Sequence, residues 1–251
     1  MWKKYKIKEL KPELIDVTGK RFDGQKTLLY ELIDSDRFIV KSFFEGCLSQ
    51  IAVINRVIVY IKYPLTAHGR PTDLHYFQAF RKWGWTCHKT FRNDFDYFQF
   101  ASETAWLRMG DCEDSSILCA AGLELYKVPY FVAFGAVYRD YELLGYHAWV
   151  IAHLAKAWRL VETTLDEPFS SPYELPTINI HKNKWQIGDI LYEAYILWNK
   201  EELWEWVEGS KMGEKLKEYL KKTHREKETK KKYRELSKSY MKLIGKGTKV
   251  K

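Results

Sequence analysis

The chain has 251 residues, 46% hydrophobic and 29% charged, enough length and apolar content to bury a core, which excludes disorder as its dominant state. Its formal charge is +8, but residues 211–251 hold 16 Lys and Arg against 5 acids. The remainder is slightly acidic, so the basicity carries no information about a groove within it.

The first six residues, Met1-Trp2-Lys3-Lys4-Tyr5-Lys6, are basic but lack the apolar run and cleavage site of a signal peptide, so export by that route is not expected. Cys47, Cys87, Cys112 and Cys119 form no C-x-x-C pair, and in a chain of this length reduced thiols in a cytoplasm are the default. Residues 1–40 show no sustained period and read as an N-terminal extension of short elements with turns at Gly19 and Gly24. From Phe44, the apolar positions Cys47, Ile51, Ile54, Ile58 and Ile61 recur at three and four. They predict one buried helix of about five turns, ending before Pro64. Glu45, Asn55 and Arg56 interrupt this stretch, the most apolar of the chain, whereas a membrane span needs about 20 nearly uncharged residues. Residues 65–105 are crowded with aromatics, as suits a groove wall or a core. His68, His75, Cys87 and His88 fall there in spacings that match no zinc-ligand pattern.

Gly110 predicts a turn, Asp111 a cap, and Ile117, Leu118, Ala120, Ala121 and Leu125 the apolar face of a helix beginning near Cys112 and ended by Pro129. Tyr130–Tyr138, Tyr146–Leu154 and Trp158–Thr164 read as three antiparallel strands. Pro168, Pro172 and Pro176 make the next segment a loop. Ile190–Trp198 reads as a further strand, and Asn199 as the cap of a helix running through Trp204 and Val207. The domain predicted to carry chemistry spans 41–209. Residues 210–251 form a basic, helical tail, read either as a solvated surface or as a polyanion-binding arm. Only five Asn and five Gln occur beside many Lys and Glu, a composition associated with growth at high temperature.

A thiol nucleophile needs a favoured thiolate, a base and oxyanion donors. Cys112, at the predicted start of a helix, sits where the dipole favours a thiolate. His147 lies on the second strand in Gly-Tyr-His-Ala-Trp. If the next turn centres on Ala155-Lys156, Trp149 opposes Glu162, and Glu162 becomes the diagonal same-face neighbour of His147, within about 7–8 Å. A carboxylate there could orient the imidazole.

Gly110-Asp111-Cys112-Glu113-Asp114, His147-Ala148-Trp149-Val150 and Trp158-Arg159-Leu160-Val161-Glu162-Thr163-Thr164 resemble, in order and spacing, the three motifs of the transglutaminase-like superfamily, over about a quarter of the chain. The departure is Glu162, where many members have Asp. The resemblance implies an α+β fold with a papain-like core, the nucleophile helix packed on an antiparallel sheet. It also implies Cys112 as nucleophile, His147 as base and Glu162 as its orienter. The expected activity is hydrolysis of peptide or protein amides through an acyl-enzyme, with transamidation as a variant. The oxyanion would be held by the Cys112 backbone N–H and a side-chain donor, for which Trp83, Trp85, Tyr97, Gln99 and Trp106 are all candidates. Some relatives with the same G-D-C-E-D sequence bind calcium through its acids, which makes Asp111, Glu113 and Asp114 candidate calcium ligands. The same acids also suit the first turn of a helix, with Asp111 and Asp114 as a capping box. The competing expectation is a binding protein without activity, using a degenerate groove and a nucleic-acid-binding tail at 211–251.

Overall fold

The computed structural model describes residues 1–17, 26–61, 98–165 and 167–206. It is an α+β structure in which helices pack on a seven-stranded sheet. The strands are β1 (Trp2–Lys6), β2 (Tyr130–Arg139), β3 (Glu142–Leu154), β4 (Ala157–Val161), β5 (Lys184–Ile187), β6 (Ile190–Trp198) and β7 (Glu202–Trp206). Every pairing is antiparallel and the order is β1-β7-β6-β2-β3-β4, with β5 also pairing β6. The helices are α1 (Pro12–Ile15), α2 (Phe38–Phe44), α3 (Gln50–Tyr60), α4 (Ala101–Leu107) and α5 (Cys112–Leu125).

Helix α5 is central. It packs against β2 and β3 on one side and against α2, α3 and α4 on the other, and Ile117 to Leu123 are all buried. Such a helix is apolar nearly all round, as expected of one enclosed by other elements. On the sheet, period-two alternation separates two cores. Ala148, Val150 and Ala152 face α5 with Val132 and Phe134, while Trp149, Ile151, Phe131, Ala133 and Leu197 face the opposite side, with Ile178, Ile180 and Trp185. Residues 1–17 and 26–40 are built into the same structure. β1 lies beside β7, and Ile7, Ile15, Val17, Leu29, Leu32 and Ile33 join the α5-side core.

Two elements differ from the sequence expectation. The helix expected from Phe44 to Ile61 is shorter: Phe44 ends α2, Glu45 leaves helical geometry (φ −56°, ψ 134°), and only at Ser49, which accepts the Ala52 N–H at 3.2 Å, does α3 begin. Cys47 keeps the apolar spacing from the loop before α3 because it is buried in the same core as Ile54, Ile58 and Ile61. The predicted helix after Asn199 is strand β7. The Asn199 side chain does accept two backbone N–H groups, from Glu201 and Glu202 at 2.8 Å each. Here that polar cap closes the β6–β7 turn, and Leu203 and Trp204 pair with Trp198 and Leu197. The same short side chain serves a helix start or a tight turn.

Residues 207–251, including the basic tail, lie outside the described residues, as do Gly19, Gly24 and the histidines at 68, 75 and 88. No helix among the described residues is long and apolar enough to cross a membrane.

Candidate active site

The first turn of α5 presents Cys112, half-buried, at the position after its N-cap Asp111. Asp114 reaches back so that its Oδ2 accepts the Asp111 N–H at 3.4 Å, the half of the capping box that satisfies an orphan helix donor. Gly110 makes this possible, since a Cβ there would stand 2.6 Å from Asp114 Cβ and 3.2 Å from Thr104 Cγ2. Asp114 is also tied to the strand-like segment before α4: Gln99 donates its backbone N–H to Oδ1 at 2.9 Å and its side-chain amide to Oδ2 at 2.7 Å.

His147 and Glu162 come from β3 and the end of β4. The ladder pairs Val150 with Val161, the register of a turn centred on Ala155 and Lys156, which both adopt left-handed φ (47° and 64°). Pairing stops there. Glu162 follows immediately, and its Oε2 lies 2.7 Å from His147 Nε2. Thr164 closes on the other oxygen, donating to Oε1 from its N–H (3.0 Å) and hydroxyl (2.7 Å). Burial opposes ionisation of Glu162, but the neighbouring His147 and the Thr164 donors outweigh it and hold its carboxyl below the usual range. The carboxylate form is therefore the one present at neutral pH.

The two halves are joined. Ser115, on the first turn of α5, donates to the Asp111 carbonyl at 2.8 Å and lies 2.8 Å from the Thr163 hydroxyl, so the residue between Glu162 and Thr164 is fastened to the Cys112 helix. From β3, the Ala148 backbone N–H is directed at the Cys112 sulfur. The strand that carries His147 therefore acts on the thiol through the residue that follows it.

The thiol departs from expectation in one respect. Burial pushes Cys112 well above the usual thiol range, and the Glu113 and Asp111 carboxylates push it further, while the Ala148 N–H opposes them only in part. The thiol donates toward Glu113 Oε2 at 3.3 Å. The helix start that was expected to favour a thiolate is outweighed by desolvation and by its own acids. Cys119, one side of α5 further in, is fully buried and pushed up to about 12 by burial alone.

Of the oxyanion candidates, Trp83, Trp85 and Tyr97 lie outside the described residues. Trp106 is exposed on α4. Gln99 is fully buried and its amide is committed to Asp114 and to the Met109 carbonyl (3.3 Å), so it acts as a strut in this structure. The calcium candidates divide. Asp114 has both oxygens engaged by Gln99 and Asp111, and the ligand atoms that gather within 4.8 Å of one another are those of Asp111, Cys112 and Glu113. Two carboxylates around a sulfur do not suit an ion that takes six to eight oxygens.

Sequence reasoning missed Tyr192 of β6, whose hydroxyl donates to Glu162 Oε2 at 3.2 Å. Its only signal was the strand prediction itself, because which strand lies beside which is not visible in local pattern.

No protein-family profile matches the chain, and no curated protein sequence does. Among solved structures, it is similar to that of a proposed cysteine protease from Cytophaga hutchinsonii, with 13% identity and a TM-score of 0.37 over 65% of this chain. The match spans about half of that protein (49%). At that depth the likeness carries no argument, and the function rests on the site.

Proposed function

We propose that the chain is a cysteine-dependent hydrolase of peptide or protein amides with a papain-like, transglutaminase-like core, using Cys112, His147 and Glu162. The observation that carries this reading is the 2.7 Å His147–Glu162 hydrogen bond, on the strand whose Ala148 N–H acts on the thiol of the helix-start Cys112. A structural histidine needs no ionised, four-times hydrogen-bonded partner at its far nitrogen. A base does.

The chemistry follows from the arrangement. With Nε2 held by Glu162, Nδ1 is left to accept the Cys112 proton. The sulfur attacks the amide carbonyl, and the Cys112 backbone N–H, at the start of α5, is a donor for the developing oxyanion. The imidazolium returns its proton to the leaving amine, giving a thioester, which water cleaves with His147 again as base. An amine in place of water would give transamidation. No step needs a metal-bound group.

The test is site-resolved. Iodoacetamide at neutral pH should modify Cys112 ahead of Cys47 and Cys119, and His147→Ala should slow that modification by at least the ~100-fold of a lost general base. Incubation with a mixed peptide library should create new amino termini, and Cys112→Ala should abolish them while keeping the fold. Equal Cys112 modification in wild type and His147→Ala, or peptide cleavage that survives in Cys112→Ala, would refute the assignment.

A further inference from the structure

Glu162 is gripped from two directions. Thr164 is a local clamp, two residues on in the chain, whereas Tyr192 reaches it from β6, which is separated from β3 by the whole of β2. Such a reach needs an open face. The row crossing the sheet at His147 runs through Gly135 and Ala194, so the two positions between imidazole and phenol carry almost no side chain. The opening at Gly135 is enforced, because a Cβ there would stand 2.0 Å from the Glu193 carbonyl oxygen and 2.8 Å from Trp149 Cη2. Trp149 floors the space, stacked near His147 (centroids 6.1 Å apart, planes at 28°) and edge-on to Tyr192 (5.2 Å, 71°).

Resting on the hydrolase reading above, we propose that Tyr192 is a positioning residue that sets the tautomer of His147 by holding Glu162 Oε2. A glutamate has one more rotatable bond than the aspartate common at this place in the resembled motif, and a longer arm needs a second anchor to keep presenting one oxygen. Hydroxyl donation to Oε2 also favours its charged form, so that oxygen accepts the Nε2–H as a hydrogen bond and does not take the proton. The imidazole keeps its proton on Nε2, which leaves the Nδ1 lone pair as the acceptor for a thiol proton. Tyr192 itself exchanges nothing. It stays protonated, since burial and then the Glu162 charge push its phenol far above the usual range.

The experiment uses Tyr192→Phe in the full chain, with two readouts. The ¹⁵N shifts of the His147 ring, assigned with His147→Gln, should show the Nε2–H tautomer in wild type and a mixture containing Nδ1–H in the variant. Alkylation of Cys112 by iodoacetamide should slow about tenfold, the low end for losing a hydrogen bond to a charged group, without loss of thermal stability large enough to explain it. In a Glu162→Gln background the same substitution should add nothing, because the phenol acts through the carboxylate. A purely structural tyrosine would cost as much in either background. A wild-type tautomer in Tyr192→Phe, or an undiminished effect in the Glu162→Gln background, overturns the proposal. If Tyr192→Phe does not fold, Tyr192→Met, which keeps similar bulk without a hydroxyl, takes its place and must give the same tautomer mixture, an unchanged tautomer again overturning the proposal. Absence of selective Cys112 alkylation in wild type would instead sink the hydrolase reading, while the tautomer comparison would still decide the role of Tyr192.

Discussion

Asp114→Ala asks whether the nucleophile helix is held from inside the protein. The Asp114 side chain is fully buried and accepts the Gln99 N–H at 2.9 Å, the Gln99 side-chain amide at 2.7 Å and the Asp111 N–H at 3.4 Å. Gln99 is fully buried too, so alanine takes the acceptor from two donors that water does not reach. Each such loss costs about 1–3 kcal/mol. The bond to Asp111 is long and adds less. The combined destabilisation is about 2–6 kcal/mol, and at about 2–4 °C per kcal/mol for a chain of this size the thermal midpoint should fall by roughly 5–20 °C. Asp114→Asn keeps one acceptor oxygen and should fall between. Calorimetry at neutral pH reads the shift, and Cys112 alkylation measured below both transitions reads the helix start directly, since its cap has been cut. A midpoint within about 2 °C of wild type for Asp114→Ala would correspond to less than about 1 kcal/mol, and would refute the view that this carboxylate straps α5 to the segment before α4.

Glu113→Gln removes a carboxylate that raises the Cys112 thiol from 3.3 Å away, so alkylation at neutral pH should become several-fold to about tenfold faster. An equal or slower rate would mean that burial alone sets the thiol. Gly135→Ala puts a methyl 2.0 Å from a backbone carbonyl in the middle of the sheet, where neither partner can yield cheaply, and soluble folded yield and circular dichroism should both collapse; a well-folded variant would contradict the close approach of β2 and β6. Burial raises Asp34 to about 6, against the opposing Ser102 donors and Arg37. The folded state therefore binds this proton more tightly than the unfolded one, and Asp34 subtracts stability as pH rises from about 4 to about 6, by on the order of 2 kcal/mol. Denaturant midpoints of wild type minus Asp34→Asn should decline across that window, and a difference that is flat or rising would disprove the sign.

What the sequence disclosed and what it hid separate by range. The His147–Glu162 contact was legible because it is local: a two-residue turn at Ala155-Lys156 sets the register of the next strand, and strand parity then fixes which side chains share a face. The start of α5 was legible for the same reason, as Gly110, Asp111 and Asp114 act within one turn. Asn199 shows where local reasoning becomes ambiguous. Its side chain caps backbone N–H groups as predicted, but whether a helix or a hairpin follows depends on β1 and β6 offering strand edges, and β1 lies about 200 residues away in the chain. The apolar period over residues 44–61 was likewise read correctly for burial and wrongly for length, since a buried loop residue, Cys47, falls in phase with the buried face of α3. Tyr192 and Gln99 were invisible as partners of the site because their contacts depend on strand order and on helix packing, neither of which is written in a window of sequence.

The direction of the Cys112 shift bears on how such a site would work. Moving the thiol proton to His147 places a negative charge beside Glu113 and Asp111 and a positive charge beside Glu162. The structure penalises the first and supports the second, because burial and two acids raise the thiol while Glu162 is kept ionised under four donors. A resting thiolate–imidazolium pair is therefore not the state these residues favour. What relieves the penalty is carbon–sulfur bond formation, which carries the charge off the sulfur and onto a carbonyl oxygen at the start of α5, where the helix dipole favours it. On the proposed reading, proton transfer and attack are coupled, so any electrophile that reacts at Cys112, an alkylating probe included, draws on His147 as base.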